Sequence, residues 1–310
     1  MRPFPPLPTA ASRDTRPLDA WPGIRGLPPR WASVLALTAA CSLSGLATAP
    51  PALAAVNPCD SGHLVAYLAG TGEGSTGTSG GGTIVSLELG EDLRQDYVLL
   101  RNQDRNGGAL GVNPASSTLW FTTQGNRVWS SKAEGTPYNW RDLSGPSYKG
   151  DIAFGKDRKG YFLAEENGAT NVYVFPADRP ADRRRINLNA APGQDHDLDD
   201  PTGLAFDGRN QAWIITRHGE LWTVRDTAAT TWKAQYTSAA QPSTRKFEDL
   251  AFGRQNGQDA LFVSGSDRGE RFVARAGDRG NELDLQPTHH IAGDGSVTGL
   301  ASCAFPDTWS

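Results

Sequence analysis

The chain is poor in the residues that build metal and redox centres. Its 310 residues include 3 Cys, 5 His and 1 Met. No zinc-type spacing, Cys-His pair or Ser-His-Asp order stands out. No glycine-rich stretch carries the lysine and following helix of a phosphate-binding loop. A basic excess is absent as well. The net charge is −4, which gives no electrostatic reason to expect nucleic acid as a partner. Long apolar runs are also scarce. Only Trp31–Ala49 is a candidate, and Ser42, Ser44, Gly45 and Thr48 interrupt it. No other segment is long and apolar enough to span a membrane.

That single run has the layout of an export signal. Residues 1–30 are rich in Pro and Arg without an apolar period, and read as a disordered leader or as sequence upstream of the true start. Arg25 and Arg30 precede the run, and Ala52-Leu53-Ala54 follows as a small-x-small cleavage site. Cleavage is expected after Ala54, leaving residues 55–310 as one domain, secreted, periplasmic or on the cell surface. The alternatives are a membrane anchor and lipidation at Cys41, where Thr38 stands in place of the usual Leu. Beyond the signal remain Cys59 and Cys303. In an oxidising compartment they are expected to form a disulfide that brings the two ends together.

What is abundant points to β-structure. The chain holds 35 Gly, 21 Pro and 9 Trp, so turns and bulky aromatics are frequent. One phrase recurs five times: GALGV (Gly108–Val112), GDIAF (Gly150–Phe154), TGLAF (Thr202–Phe206), EDLAF (Glu248–Phe252) and TGLAS (Thr298–Ser302). The aligned aliphatic residues Leu110, Ile152, Leu204, Leu250 and Leu300 are 42, 52, 46 and 50 residues apart, a period typical of propeller blades.

After each of the first four copies come three more short apolar runs. The second runs are Thr118–Thr123, Gly160–Glu165, Gln211–Thr216 and Ala260–Gly265. The third are Arg127–Lys132, Asn171–Pro176, Glu220–Arg225 and Arg271–Gly277. The fourth, more polar, are Tyr138–Leu143, Arg184–Leu188, Trp232–Thr237 and Glu282–Pro287. Turn residues bound each run, so each reads as a β-strand, and four strands per period make an antiparallel blade. Leu64–Gly70, Thr83–Leu89 and Asp96–Arg101 supply strands two to four of a blade that lacks its first. The last copy is a first strand with nothing after it. The expected fold is all-β: a five-bladed β-propeller of four-stranded antiparallel blades, closed by pairing N- and C-terminal strands in one blade. A β-sandwich is the competing fold, but its strands would show no such period.

This arrangement places the loops before each first strand, and the turns between strands two and three, on one face. Candidate residues follow from that map. Asp151, Glu165, Glu248 and Asp249 are the available acid–base or metal-binding carboxylates. For Asp151 and Asp249 the competing role is acceptance of backbone N–H bonds at the start of a strand. Arg217 and His218, with Asp267 and Arg268, lie in strand two–three turns and are candidates for holding a ligand. In QDHDLDD (Gln194–Asp200), Asp197, Asp199 and Asp200 are calcium candidates, although the glycine turn and distal Glu of an EF-hand are missing. His289 and His290, adjacent on a strand, point to opposite faces and make poor partners for one metal.

GDIAFGKDRKGYFLAEENGATNVYVF and PTGLAFDGRNQAWIITRHGELWTV resemble secreted bacterial β-propellers of the NHL and quinoprotein-like kind. PCDSGHLVAYLA, GGALGVNPASSTLWF and the closing ASCAF are similar to propeller domains of bacterial surface and exported proteins. The resemblance spans about residues 57–305. The Gly-His and Trp-Asp signature of scaffolding propellers is absent, and so is a tryptophan-docking motif for a quinone cofactor. The asymmetric, poorly polar channel and the lack of a catalytic constellation point instead to an exported binding or surface-interaction protein, expected as a monomer with a small molecule, carbohydrate or protein as ligand. Glycosidase chemistry, or a calcium-dependent lactonase or esterase using the same carboxylates, is the alternative. Fold alone does not choose between them.

Overall fold

The structure, a computed structural model, describes residues 57–60, 63–69, 82–90, 93–101, 108–123, 127–133, 135–140, 143, 151–241, 243–278, 282–294 and 296–307. The expected leader and export signal, Cys41 included, and residues 70–81, 104–107, 124–126 and 147–150 of the loops discussed above lie outside them. The described residues are nearly all β, with one short 3₁₀ turn at Pro180–Asp182. No helix among them is long and apolar enough to cross a membrane.

The strands fall in groups of four, each an antiparallel meander. The first described strands are β1 (His63–Ala69), β2 (Thr83–Leu89) and β3 (Leu93–Arg101). A second group holds β4 (Leu110–Asn113), β5 (Thr118–Thr123), β6 (Arg127–Ser131) and β7 (Tyr138–Asn139). A third holds β8 (Ile152–Phe154), β9 (Lys159–Glu166), β10 (Ala169–Pro176) and β11 (Arg184–Ala190). A fourth holds β12 (Pro201–Phe206), β13 (Ala212–Thr216), β14 (Glu220–Val224) and β15 (Thr231–Ala240). The last comprises β16 (Arg245–Gln255), β17 (Gln258–Asp267), β18 (Glu270–Asp278) and β19 (Glu282–Asp294), with β20 (Ser296–Ala301) after it. This is the construction of a β-propeller. The terminal strand β20 pairs antiparallel with β1, Leu300 opposite Ala66, and completes the sheet β20-β1-β2-β3. Cys59 and Cys303 are disulfide-bonded beside that pairing, with Cα atoms 5.0 Å apart.

Side-chain alternation explains how the sheets stack. Along β13 and β12, Ala212, Ile214, Leu204 and Phe206 turn toward the sheet of β8–β11, packing with Tyr161, Val172 and Ile186. Trp213, Ile215 and Ala205 turn the other way, toward Phe247, Leu250 and Phe272. Each sheet is thus apolar on both faces, which is why its inner strands read as continuous apolar runs rather than alternating ones. The same rule gives clusters joining β16–β19 to β20-β1-β2-β3, that sheet to β4–β7, and β4–β7 to β8–β11. Asn167-Gly168 and Asn256-Gly257 take positive φ in two-residue hairpins, the backbone that Asn-Gly favours.

Two features depart from the expected map. The fourth strand of the second group is only Tyr138–Asn139, and its expected run to Leu143 breaks off where Trp140 turns inward to stack on Trp120. Moreover, the outermost strands are not separate. β11 pairs parallel with β15, and β15 with β19, so three successive groups share one twelve-stranded sheet. β15 and β19, at 10 and 13 residues, are long enough to reach past their own sheets.

The innermost strands leave no room to spare. A Cβ on Gly203 would lie 2.6 Å from Asp249 Cα and 2.8 Å from Leu250 Cδ2. Gly203→Ala is therefore expected to lower unfolding stability by about 3 kcal/mol, measurable by chemical denaturation.

Candidate functional site

Asp151 and Asp249 precede Ile152 and Leu250, the aligned aliphatic residues of β8 and β16. Both are almost completely buried, at 2% and 0% exposure. Asp151 Oδ1 accepts the backbone N–H of Leu110 (3.2 Å) and of Ile152 (2.6 Å), and Oδ2 accepts that of Leu204 (3.3 Å). Asp249 Oδ1 accepts the N–H of Leu250 at 2.6 Å, and Oδ2 accepts that of Leu300. The two carboxyl groups also hydrogen-bond to each other. The donors are the five aligned aliphatic residues, on β4, β8, β12, β16 and β20. The corresponding positions on the other three strands are Ala109, Gly203 and Gly299, small enough to admit the two acidic side chains.

Burial pushes both carboxyl groups above the usual range, and the charge of Asp151 pushes Asp249 further. Every oxygen of the pair faces a backbone N–H, and below the pair lie apolar side chains. There the axial channel is lined by Val112, Phe154, Phe206, Phe252 and Phe305 and retains about 30 Å³, room for roughly one water. Past β20 the chain crosses this mouth. The N–H of Gly208 donates to the Pro306 carbonyl at 2.7 Å, and Lys156 Nζ donates to the Gly208 carbonyl at 2.8 Å. The sequence map put the ligand site over the axis. Among the described residues, the two carboxyl groups and the apolar side chains below them stand along the axis.

Open space lies to one side. A polar cleft of about 350 Å³ is bounded by Leu163, Ala164, Glu165, Gly168 and Thr170 from β9, β10 and the turn between them, and by Asp199, Asp200, Pro201 and His218. The structure thus brings Glu165, His218 and two residues of the acidic loop together between neighbouring sheets. Arg217 sits beside them. Its Nε donates to Asp200 Oδ2 at 2.8 Å and its Nη1 to Glu248 Oε1 at 3.4 Å. Its charge is therefore matched within the protein. Partial burial raises Glu248, and the guanidinium of Arg217 opposes that. The backbone holds the same junction: Arg217 N–H donates to the Asp200 carbonyl, and Phe247 N–H to the Arg217 carbonyl.

The other candidates do not join this cleft. Asp267 accepts from Thr244 Oγ1 (2.6 Å) and Arg245 Nε (3.4 Å), contacts that hold its carboxyl below the usual range, the Thr244 bond contributing most. Arg268, exposed, takes positive φ in the hairpin next to it. Asp197 is exposed on its loop, and among the described residues no three His, Cys, Asp or Glu side chains converge as metal ligands. His290 faces Glu270 at 3.5 Å, while His289 Nδ1 accepts from Leu93 N–H.

Some contacts had no signal in the sequence reading. His196 stacks on Tyr236, ring centroids 3.8 Å apart, and faces Glu220 at 3.6 Å. In the turns between strands one and two, Asp157 and Asp207 accept from Tyr161 Oη and Trp213 Nε1. An Asp four or six residues before a strand-two aromatic is the pattern that marks them. A second cavity of about 200 Å³ lies on the lower face beside the disulfide, walled by Asp60, His63, Arg254 and Asp259.

No known protein family matches the chain, and no curated protein does. Solved structures show a distant likeness. A chain of the nidogen/laminin complex aligns at 11% identity over 77% of this chain and 98% of its own, with a TM-score of 0.47. Virginiamycin B lyase from Staphylococcus aureus aligns at 14% identity over 70% and 71%, TM-score 0.40. A gluconolactonase from Xanthomonas campestris aligns at 17% identity over 70% and 74%, TM-score 0.44. The propeller assignment rests on the strand pairing described above.

Proposed function

We propose that this chain is an exported, monomeric five-bladed propeller, residues 55–310, that binds a small polar ligand, a carbohydrate first among the classes to test, in the cleft of Glu165, Asp199 and His218. Support for five blades comes from the cyclic order of the innermost strands. β4 lies against β8, β8 against β12, β12 against β16, β16 against β20 and β20 against β4. The export pattern before Ala55 and the disulfide are consistent with an oxidising compartment.

One observation carries the choice of binding over hydrolysis. Asp151 and Asp249, two of the carboxylates available for acid–base or calcium chemistry, have all four oxygens engaged by backbone N–H groups and one another. Glu248 holds Arg217. A general acid needs its proton, and a general base or metal ligand its lone pair, facing the substrate or ion. The open cleft offers polar groups on two sheets, as a binding site requires.

A panel of mono- and oligosaccharides, lactones and calcium, screened by thermal shift, tests this reading. A saccharide at a hundred times its Kd is expected to add about 2.7 kcal/mol to stability. Glu165→Gln and His218→Ala should remove that gain while the unliganded chain stays folded. Turnover of a saccharide or lactone, or a midpoint raised by calcium and lowered by chelator, would reverse the assignment in favour of a hydrolase.

A further inference from the structure

The five N–H groups that meet Asp151 and Asp249 come from five different strands, each at the same place in its sheet. Backbone N–H groups only donate, and ionised carboxylate oxygens only accept. The hydrogen bond between the two side chains therefore requires a proton on one of them. The geometry points to Asp151 and Asp249 as a proton-sharing buckle: one proton lies between two carboxyl groups whose oxygens fasten β4, β8, β12, β16 and β20, so that alkali loosens the fold. This does not depend on what the cleft binds.

Among the described residues, most of the neighbouring charges are held by partners of their own. Apart from Asp151 itself, ahead of β8, strands β4, β8, β12 and β20 carry no charged side chain. β16 carries Arg245, Lys246, Glu248 and Arg254 besides Asp249. Asp200 precedes β12, and Asp207 follows it at the opposite end. Arg245 is held by Asp267, Arg254 by Asp259, and Arg217 by Asp200 and Glu248. Burial, the partner carboxyl and the five N–H groups are the largest influences on the pair.

The direction with pH follows. Both carboxyl groups keep a proton more tightly in the folded chain than in the unfolded one, where Asp releases it near pH 3.9. Between that value and the folded one, the folded state holds more protons. Stability is then full in acid and falls as pH rises, about tenfold in the unfolding equilibrium per pH unit for each proton released. Loss of the shared proton leaves two carboxylates facing each other, with only N–H groups to hold them.

The experiment follows the thermal midpoint of the full chain from pH 5 to 9 in wild type, Asp151→Asn and Asp249→Asn. The carbon-13 signals of the aspartate carboxyl groups are read in wild type over the same range. In Asp151→Asn, Oδ1 still accepts from Leu110 and Ile152, and an amide N–H can replace the shared proton. The wild-type midpoint should fall toward pH 9, the Asn variants should follow flatter curves, and a protonated carboxyl carbon should persist at pH 7. Parallel slopes in wild type and a folded Asn variant would overturn the proposal. So would aspartate signals that all titrate below pH 5, and that reading decides the matter if neither variant folds.

Discussion

Asp151→Ala is expected to cost about 5 kcal/mol of stability, with urea denaturation of the purified variant as the measurement. The substitution removes the acceptor for the N–H groups of Leu110, Ile152 and Leu204 at once. Each buried donor left without a partner costs roughly 1–3 kcal/mol. Asp249 is also left without the group it bonds. Set against a typical total of about 5–15 kcal/mol for a domain, the variant should be partly or wholly unfolded at 37 °C. Asp197→Ala is the control, since its side chain is exposed on its loop rather than sealed at the axis. It should shift stability by no more than about 0.5 kcal/mol. Equal losses in the two variants would mean that the buried pair carries no special weight.

Reduction of the disulfide is the second large effect. Cys59 and Cys303 are 244 residues apart. Freeing a loop of that length restores chain entropy to the unfolded state worth about 5 kcal/mol in the loop-closure model, with measured cases at or below that. The bond also secures β20 against β1, and β20 carries the Leu300 N–H that donates to Asp249. A Cys59→Ser/Cys303→Ser double variant, compared with wild type in dithiothreitol, should melt at the same lowered temperature. On the usual scaling for a domain of this size, the loss is roughly 10–20 °C. A midpoint indifferent to reductant would show that the strand pairing holds the ends without the covalent link.

The sequence was informative where a position is defined by spacing. Leu110, Ile152, Leu204, Leu250 and Leu300 were aligned by period alone, and all five lie on innermost strands. The joining of β20 to β1 followed from the same count, because a first strand at one end needs three at the other, and the Cys59–Cys303 bond from their being the two cysteines left beyond the export signal. Spacing says nothing about which groups face the axis. Asp151 and Asp249 were legible as equivalent, with backbone N–H acceptance as one of two roles. That their five donors come from five strands depends on the ring, not on local sequence. The cleft was half visible. Glu165, Asp199, Asp200 and His218 fell on the same face, but their meeting between two sheets is a fact of packing. The ion pairs of Arg217 with Asp200 and Glu248 join residues 17 and 31 positions apart, beyond any local pattern. The parallel pairing of β11, β15 and β19 was hidden for a related reason. Polar outer strands carry weak periodicity, so their true lengths cannot be read from composition.

The first and last described strands lie side by side in one sheet, so the ring can be opened at another point. Joining residues near 57 and 307 with a short linker, and opening the polypeptide instead at the exposed Pro192-Gly193 turn, should yield a permuted chain with the same core. In that chain the sheet now assembled from both ends would be continuous, and its disulfide would span a few residues plus the linker. Any gap in stability between the two versions would then report what the long covalent loop contributes, free of any change in the contacts it encloses.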